Sequence, residues 1–182
     1  MTCYTTTYRS PLGLIVIESD AEALTGLRFA DEKANANVTK RYETVSAIHV
    51  IAATIRWLDD YFSGKQAKNA TMGKQTENAT VGVKADARIV IKVKGTMFQQ
   101  RVWQALLHIP NGETVSYGEI ARMVGCKSAQ AVGQAIGANP IALIIPCHRV
   151  IAANGKLGGY AYGEEKKKRL LAWEQQSKFK TQ

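Results

Sequence analysis

The stretch Ala142-Leu143-Ile144-Ile145-Pro146-Cys147-His148-Arg149-Val150-Ile151 places a thiol, an imidazole and a guanidinium inside an apolar run. Such a run predicts burial, and these polar groups are costly to bury unless they are used or paired. Pro146 fixes its own φ and favours extended geometry at Ile145, so we expect a sharp turn just before Cys147. A thiol on a rigid turn is a candidate nucleophile, although a free cysteine is more often a buried structural residue.

Length and composition predict a folded protein that does not cross a membrane. The 182 residues suffice for one domain or two small ones, and 46% of them are hydrophobic. No apolar run reaches about 18 residues, and residues 1–4 lack the pattern of a signal peptide. We therefore expect a cytoplasmic protein, or a nuclear one if the source is eukaryotic.

The cysteines and histidines do not form a metal or disulfide pattern. Cys3, Cys126 and Cys147 are an odd number at wide spacing, which favours a reducing compartment. The three histidines are scattered as well, without zinc-ligand spacing. We expect neither a metal nor a cofactor.

The charge is concentrated in the second half of the chain. The net charge is +9, and the residues from Gly95 onward include 11 basic and 5 acidic side chains, which accounts for +6 of it. This distribution fits a polyanionic partner, nucleic acid first. A basic surface maintained for solubility would explain it equally well.

The first half predicts a sheet with one helix. β-branched and apolar residues between turn residues predict strands at 5–8, 14–18, 24–29 and 89–93. The first three strands suggest an antiparallel start. Apolar residues at helical spacing predict an amphipathic helix from Val45 to Phe62.

A nine-residue repeat follows this helix. Residues 64–72 read Gly-Lys-Gln-Ala-Lys-Asn-Ala-Thr-Met, and residues 73–81 read Gly-Lys-Gln-Thr-Glu-Asn-Ala-Thr-Val. Two copies are too few for a solenoid. The low apolar content predicts a mobile surface loop over 63–86.

The second half predicts a series of capped helices. Thr96 with Gln99, and Ser116 with Glu119, form capping boxes that open helices reaching Leu107 and Val124. Ser128 caps the next helix, which we expect to run to Ile136 and to be closed by Gly137. Two short helices joined by a tight turn with glycine predict a helix-turn-helix.

Two features of these helices have more than one interpretation. The second helix of the motif has a face of small residues, Ala129, Gly133 and Ala135, which allows close approach to a ligand or close packing within the protein. A final helix is predicted over 164–176. Its basic run, residues 166–169, is of the kind that usually forms a solvated helix face.

Pro146-Cys147-His148-Arg149-Val150 resembles the active-site signature of the O6-alkylguanine-DNA alkyltransferases. Further blocks resemble the same family in the same order: residues 98–107, 115–117, 131–133, 139–140, 144–150, 158–160 and 170–174. The resemblance is dense over 95–176 and looser before it. The repeat has no counterpart in the family.

The resemblance implies an α/β (α+β) protein of two domains. Residues 1–94 would form an α/β domain that resembles ribonuclease H. Residues 95–182 would form a mainly helical, winged-helix-like domain that contains the helix-turn-helix and the reactive cysteine.

The resemblance also implies the activity, that of a methylated-DNA–[protein]-cysteine S-methyltransferase. The family repairs double-stranded DNA containing O6-alkylguanine by flipping the base out of the duplex. A cysteine then takes the alkyl group irreversibly, so each molecule acts once. No cofactor is implied, and we expect a monomer.

The resemblance assigns four catalytic residues. Cys147 is the nucleophile, and it must react as a thiolate because a neutral thiol with a pKa of about 8.5 is a weak nucleophile. His148 is too close in the chain to bond the thiol directly and acts through water, while Glu174 orients it. Tyr117 donates its hydroxyl to N3 of the departing guanine.

The remaining predicted residues bind the base or the DNA. The backbone carbonyls of Cys147 and Val150 receive the exocyclic amine, and the Ala161 N–H binds O6. The others form the pocket or contact the DNA: Tyr160 as a wall, Asn139 as the brace of the turn before the active site, Lys167 near the pocket, and Ser128, Gln130 and Arg149.

Gln130 departs from the family pattern. The family usually has an arginine at this position, which enters the stack vacated by the flipped base. The turn before it is also one residue shorter than the family pattern. Glutamine can fill space but has no charge, so we expect weaker duplex binding or slower flipping. A shift towards free-base or small-ligand substrates is the alternative.

Three other functions remain as alternatives at this stage. A binding-only relative would recognise alkylated guanine without removing it, but such relatives replace the cysteine, usually with tryptophan. A cysteine hydrolase using Cys147 and His148 would turn over many times and would not need DNA. A transcription factor built on the helix-turn-helix would bind a specific sequence, with a purely structural Cys147.

Overall fold

The computed structural model describes residues 3–30, 45–64, 71–72, 80–85 and 89–179. A six-stranded sheet occupies the first half, in the order β1-β2-β3-β6-β5-β4. Its strands are β1 (Tyr4–Ser10), β2 (Gly13–Ser19), β3 (Leu24–Phe29), β4 (Thr71–Met72), β5 (Thr80–Ala85) and β6 (Ile89–Lys94). Helix α1 (Val45–Phe62) packs against β1, β2, β3 and β6.

The predicted strands and helix of the first half are confirmed. β1, β2 and β3 form the expected antiparallel meander, with Thr6 opposite Ile17 and Ile17 opposite Leu27. Ile15 and Ile17 of β2, and Leu27 and Phe29 of β3, reach the core from alternate positions because successive side chains of a strand point to opposite faces of the sheet. Two of them, Ile17 and Leu27, are fully buried.

The prediction of a loop over 63–86 is wrong at two places. Thr71–Met72 and Thr80–Ala85 are strands β4 and β5, which pair antiparallel with each other and extend the sheet beyond β6. Alternating small and β-branched residues in a polar segment gave too weak a signal to predict them. Residues 65–70, 73–79 and 86–88, which include most of the repeat, lie outside the described residues.

The described residues of the second half form a small parallel sheet, a short 3-10 helix at Cys147–Arg149 and four α-helices. They are α2 (Met97–Leu106), α3 (Tyr117–Met123), α4 (Ala129–Gly137) and α5 (Glu164–Phe179), with β7 (Val115–Ser116) paired to β8 (Val150–Ile151). Both predicted capping boxes are present, at Thr96 with Gln99 and at Ser116 with Glu119. The mixed α/β architecture is therefore confirmed.

The end of α4 differs from the prediction. Gly137 is the last helical residue rather than the residue that closes the helix, and Ala138 at φ −84° is the C-cap. The chain leaves α4 without a left-handed residue, so no glycine is required there. The turn between α3 and α4 does require one, since Gly125 has a φ of 67°.

The first half reaches the second through β3. Leu27 N–H donates to the carbonyl of Pro140 at 2.9 Å, and Ala142 N–H donates to the carbonyl of Leu27 at 2.7 Å. These bonds attach the segment just before Cys147 to the main sheet. They hold the stretch that leads to Cys147 against a buried strand, which limits its freedom.

The basic run of α5 is only partly a solvated face, since Lys168 and Arg169 are exposed but Lys166 and Lys167 are not. Lys166 Nζ lies 4.7 Å from the ring centroid of Phe29, Lys167 is fully buried, and Arg169 donates to the carbonyl of Pro11 at 3.1 Å. Three of these four cations therefore bind the rest of the protein. Lys166 and Arg169 attach α5 to the first half of the chain, whereas Lys167 binds carbonyls of the second half.

Gly95 gives a prediction for stability. A Cβ built on Gly95 would lie 2.6 Å from Trp103 Cη2, and that indole is anchored by its N–H bond to the carbonyl of Ala135 at 2.8 Å. Gly95→Ala should therefore cost about 1–3 kcal/mol in the free energy of unfolding. Thermal or urea unfolding measures it, and an unchanged midpoint would contradict the predicted clash.

Gly137→Ala is the matched control for this prediction. A Cβ at Gly137 meets no atom within 4 Å, and the residue is helical. Replacing a helical glycine with alanine should stabilise the protein by roughly 0.5–1 kcal/mol, because glycine loses more backbone entropy on folding. The two glycine substitutions should thus act in opposite directions.

In the described part of the chain, no helix has the length and apolar character needed to cross a membrane.

Candidate active site

Two tight turns set the position of Cys147. Pro146 has φ −83° and ψ 63°, and Cys147 N–H donates to the carbonyl of Ile145 at 2.8 Å, which is the geometry of an inverse γ-turn. Three residues earlier, Leu143 has a φ of 69° while buried, and Ile144 N–H donates to the carbonyl of Ala142 at 2.8 Å. A left-handed leucine is strained backbone, and such strain persists only where surrounding packing enforces it.

Asn139 ties these turns to the end of α4. Its Nδ2 donates to the carbonyl of Ile145 at 2.8 Å, and its Oδ1 accepts the N–H of Ile141 at 3.0 Å. The side chain also forms a hydrogen bond with the Cys147 thiol that lowers the pKa of that thiol. Asn139 therefore both shapes the turn and contacts the candidate nucleophile.

Cys147 is buried, at 6% exposure. Burial raises the pKa of its thiol above the ordinary value, and the Asn139 hydrogen bond and the charge of Lys167 only partly offset this. The thiol is consequently protonated at neutral pH. A reaction at sulfur needs a base that removes this proton.

His148, the next residue, has the properties that such a base requires. Its Nε2 lies 2.8 Å from Glu174 Oε1, and because a carboxylate cannot donate, the proton of the neutral ring is on Nε2. Burial lowers the pKa of the imidazole despite the neighbouring carboxylate, so the ring is neutral at pH 7. Nδ1 is buried and has no partner among the described residues, which leaves its lone pair available.

Glu174 is the centre of a buried hydrogen-bond network. Its Oε1 accepts from Tyr61 Oη, His148 Nε2 and Arg149 Nη2, each at 2.8 Å. Its Oε2 accepts from Arg149 Nε at 2.9 Å and from the N–H of Gly112 at 3.1 Å. Burial opposes ionisation, yet His148 and Arg149 hold the pKa of Glu174 well below its usual range. Glu174 is thus a carboxylate with every oxygen saturated.

The prediction that Arg149 binds DNA is wrong. Arg149 is 3% exposed, and its guanidinium makes a bidentate pair with Glu174 and donates from Nη1 to the carbonyl of Ile109 at 2.7 Å. A planar guanidinium held by these bonds cannot turn outward without leaving a buried carboxylate unpaired. Its role is to support the network around Glu174.

Lys167 is a buried cation beneath the pocket. Its Nζ donates to the carbonyls of Val150, Leu157 and Gly159. Burial lowers the pKa of its ammonium group, and the charge of Cys147 acts in the opposite sense. Lys167 therefore joins the active-site strand to the loop that follows it, and its charge favours ionisation of Cys147.

Cys147 opens into a cavity of about 830 Å³. Tyr117 and Gly118 at the start of α3, one face of α4, and the loop from Ala152 to Tyr162 form its walls. All lining residues among those described lie between 117 and 162, and most are small or aromatic. A pocket of this size and apolar character suits a planar ligand of about the size of a purine base.

Three tyrosines shape this pocket. Tyr117 donates its hydroxyl to the carbonyl of Gly159 at 3.2 Å, and burial raises its pKa. Tyr160 lines the cavity, and its buried hydroxyl has no partner among the described residues. Tyr162 packs edge-on against Tyr160, with centroids 5.3 Å apart, and against Phe29 at 5.4 Å. Sequence reasoning did not single out Tyr162.

The face of small residues on α4 takes part both in packing within the protein and in lining the pocket. Ala135 is buried and its carbonyl accepts the Trp103 indole N–H, which is internal packing. Ala129 and Gly133 line the cavity instead, and a Cβ at Gly133 would lie 3.7 Å from the Tyr117 ring. Small residues here leave room for the pocket.

Of the other predicted residues, two line the pocket and two lie outside its lining. Gln130 and Ala161 line the cavity and are exposed. Ser128 is exposed and caps α4, its Oγ accepting the Ala131 N–H at 3.1 Å. Val150 is buried below the pocket, where its carbonyl accepts from Lys167.

Within the described ranges, no group of three or more histidine, cysteine, aspartate or glutamate side chains is arranged to hold a metal ion. The titratable side chains of the site instead pair with one another, as the contacts of Glu174 illustrate.

Comparison with known proteins covers both halves of the chain. The ribonuclease-like domain of 6-O-methylguanine DNA methyltransferase matches residues 3–70, and the DNA binding domain of the same family matches residues 97–176. These matches agree with the sheet region and the helical region described above.

Individual relatives extend over nearly the whole chain. The methylated-DNA–protein-cysteine methyltransferase of Mycolicibacterium paratuberculosis is 40% identical over 169 residues, 92% of this chain and 90% of the relative. The protein of the same description from Methanosarcina acetivorans is 40% identical over 172 residues, 94% and 97% respectively. The crystal structure of Mycobacterium tuberculosis OGT in complex with DNA has a TM-score of 0.70 and 38% identity, covering 94% of this chain and 92% of that one. This chain therefore belongs to the 6-O-methylguanine DNA methyltransferase family.

Proposed function

We propose that Cys147 accepts the alkyl group from O6-alkylguanine in double-stranded DNA, in one irreversible step per molecule. Membership of the family establishes the reaction class, repair of DNA by direct transfer of a methyl group to a cysteine of the protein. The observation that supports the residue assignment is a buried thiol opening into the pocket beside a neutral His148 whose Nε2 is bound by Glu174.

The proposed reaction begins with removal of a proton from Cys147. The proton passes from Sγ through a water molecule to His148 Nδ1, whose lone pair is available because Nε2 holds the ring proton. The sulfur then attacks the alkyl carbon, the bond from that carbon to O6 breaks, and its electron pair stays with guanine. The Tyr117 hydroxyl leaves the Gly159 carbonyl, to which it donates at 3.2 Å, and donates its hydrogen bond to N3 of the departing base instead. The product is a thioether, which has no good leaving group, so the step is irreversible.

The two carbonyls proposed to receive the exocyclic amine can keep the hydrogen bonds that they already accept. The Cys147 carbonyl accepts the N–H of Val150, and the Val150 carbonyl accepts from Lys167. Each carbonyl oxygen has two lone pairs, so one remains on each for the exocyclic amine of guanine. The N–H of Ala161, in the loop that lines the pocket, would bind O6.

DNA is the partner of this family, whose DNA binding domain matches residues 97–176. We propose that α4 faces the DNA, since Gln130 is exposed in the pocket lining and Ser128 is exposed at the N-cap of the same helix, and that Tyr160 walls the flipped base. The proposed domains are 1–94 and 95–182. We also propose a monomer, because one chain supplies all the groups used; light scattering on the purified protein tests this.

Mass spectrometry of the intact protein tests the assignment. The protein is incubated with a duplex oligonucleotide containing O6-methylguanine, and we expect a gain of one methyl group per molecule that maps to the Cys147 peptide. Tight lesion binding without an adduct would instead support a binding-only protein. Repeated release of product with an unmodified cysteine would support a hydrolase.

Gln130→Arg tests the departure from the family pattern. Gln130 is exposed at the pocket entrance, where a cation could approach the phosphates and the vacated base stack. We expect Gln130→Arg to bind lesion duplex severalfold more tightly than the parent and to repair it faster. Gel-shift titration and single-turnover kinetics measure both. If Gln130→Arg and the parent had equal affinity and equal rate, Gln130 would not be the cause of weaker duplex binding or slower base flipping.

A further inference from the structure

The carboxylate that orients His148 is held partly by the first half of the chain. Tyr61, near the end of α1, donates its hydroxyl to Glu174 Oε1 at 2.8 Å across 113 positions of sequence. Both side chains are buried, Tyr61 at 3% exposure and Glu174 at 0%. The described residues that line the pocket all belong to the second half, so this contact joins the relay to a separate part of the fold.

Tyr61 is itself held in place by several contacts. Its carbonyl accepts the indole N–H of Trp173 at 3.3 Å, so the same residue binds two consecutive positions of α5. Its ring stacks on Trp57 with centroids 5.4 Å apart and packs edge-on against Phe62 at 5.0 Å. A phenol anchored on both sides has a fixed hydroxyl position, which a supporting hydrogen bond requires.

We propose that Tyr61 is a positioning residue of the alkyl-transfer site, whose hydroxyl fixes Glu174 so that the carboxylate orients His148. The first half of the chain thereby influences the reactivity of Cys147. This inference rests on the proposed function of Cys147, His148 and Glu174. Tyr61 does not touch the substrate; it acts through Glu174, whose Oε1 is shared with His148 and Arg149.

The electrostatic surroundings determine the direction of the effect. The titratable and charged groups that face His148 and Glu174 are Tyr61 from α1, Cys147 and Arg149 from the active-site turn, Tyr160 from the following loop and Lys167 from α5. Burial and the Glu174 charge raise the pKa of Tyr61 well above its ordinary value, so it remains a donor at all working pH values. When Tyr61 no longer donates to Glu174 Oε1, that oxygen stabilises a protonated imidazole more strongly, so the pKa of His148 rises.

The test is Tyr61→Phe in the full-length protein. The rate of methyl transfer from duplex O6-methylguanine is measured in single turnover as a function of pH. We expect the rate at neutral pH to fall roughly tenfold, as for other supporting groups around a reactive side chain. The acid limb of the profile should move to higher pH, because neutral His148 then forms only at higher pH. Lesion affinity, measured in the Cys147→Ser background, should not change.

Tyr8→Phe is the matched control. The Tyr8 hydroxyl donates to Asp59 Oδ1 at 2.8 Å, and Asp59 lies on α1, the helix that contains Tyr61. The variant therefore loses the same type of tyrosine–carboxylate bond, but not one to Glu174. Its rate and pH profile should equal those of the parent. A second readout needs no DNA: the rate of iodoacetamide labelling of the Cys147 peptide is followed by mass spectrometry as a function of pH. In Tyr61→Phe the acid limb of this labelling profile should also move to higher pH.

The outcomes separate this inference from the proposed function. Absence of methyl transfer to Cys147 in the parent would refute the proposed function itself. Methyl transfer in the parent with an unchanged rate and acid limb in Tyr61→Phe would overturn only the role of Tyr61. A rate that falls in proportion to the folded fraction, with no shift of the acid limb of the pH profile, would also overturn the role of Tyr61. A bond that only stabilises the fold would give that result.

Discussion

Replacing Cys147 with serine should abolish alkyl transfer while preserving the fold. A hydroxyl is a far weaker nucleophile than a thiol, because it does not ionise in the range that His148 can reach. Loss of a nucleophile of this kind lowers the rate by roughly a thousandfold or more. Serine is slightly smaller than cysteine and can keep the hydrogen bond from Asn139, so lesion binding should persist. Intact-mass measurement should find no added methyl group.

Cys126→Ser is the control for this result. Cys126 lies in the turn between α3 and α4, outside the described pocket lining, with its Sγ accepting the N–H of Ser128 at 3.4 Å. The Cys126→Ser variant should take up one methyl group per molecule, like the parent. Full methylation of Cys147→Ser would place the acceptor at another residue and would refute the proposed function.

Glu174→Gln should be the most destabilising of the substitutions considered. An amide keeps the size of the side chain but removes the charge that neutralises Arg149, and both groups are buried. Breaking a buried ion pair from one side costs about 3–5 kcal/mol, because the remaining charge is left uncompensated. Chemical unfolding measures this loss. Glu165→Gln, at an exposed position in the first turn of the same helix, should change the free energy of unfolding by less than about 0.5 kcal/mol.

The pH dependence of stability provides a second measurement for Glu174. Its pKa in the folded protein lies well below its value of about 4.3 in an unfolded chain. A depressed pKa contributes stability that is present above the unfolded pKa and is lost as the pH falls towards the folded pKa. The parent should therefore lose stability on acidification from about pH 5 downward, and Glu174→Gln should lose less. Parallel curves for both proteins would contradict the assignment.

The same substitution should slow the reaction. A carboxylate can only accept, whereas the amide of glutamine can also donate through its NH2 group. The proton of His148 is then no longer held on Nε2, and Nδ1 is no longer maintained as the proposed base. We expect the rate of methyl transfer to fall about a hundredfold or more, the range for a displaced general base. The measurement is made where the variant is still folded, and an unchanged rate there would exclude a Cys147–His148–Glu174 relay.

The amino-acid sequence determined the elements that depend on neighbours within a few positions. Capping boxes at Thr96 and Ser116 predicted the helix starts, and helical spacing predicted α1 from Val45 to Phe62. Pro146 predicted the turn before Cys147. These signals are readable because caps, periodicity and proline act through bonds and sterics within about one helical turn. The family resemblance, carried by residues 95–176, pointed correctly to the family and fold.

The tertiary structure alone decided which buried groups meet. Tyr61 occupied an apolar position of the α1 pattern, and no local feature indicated that its hydroxyl reaches Glu174. Arg149 follows Cys147 and His148 in the motif, yet its guanidinium turns inward to Glu174 and Ile109. A buried charge must be paired, but its partner is whichever group the chain topology brings within about 3 Å. That topology is set by the packing of segments far apart in sequence. The resemblance had paired His148 with Glu174, but the support that Tyr61 and Arg149 give to Glu174 appears only in the folded protein.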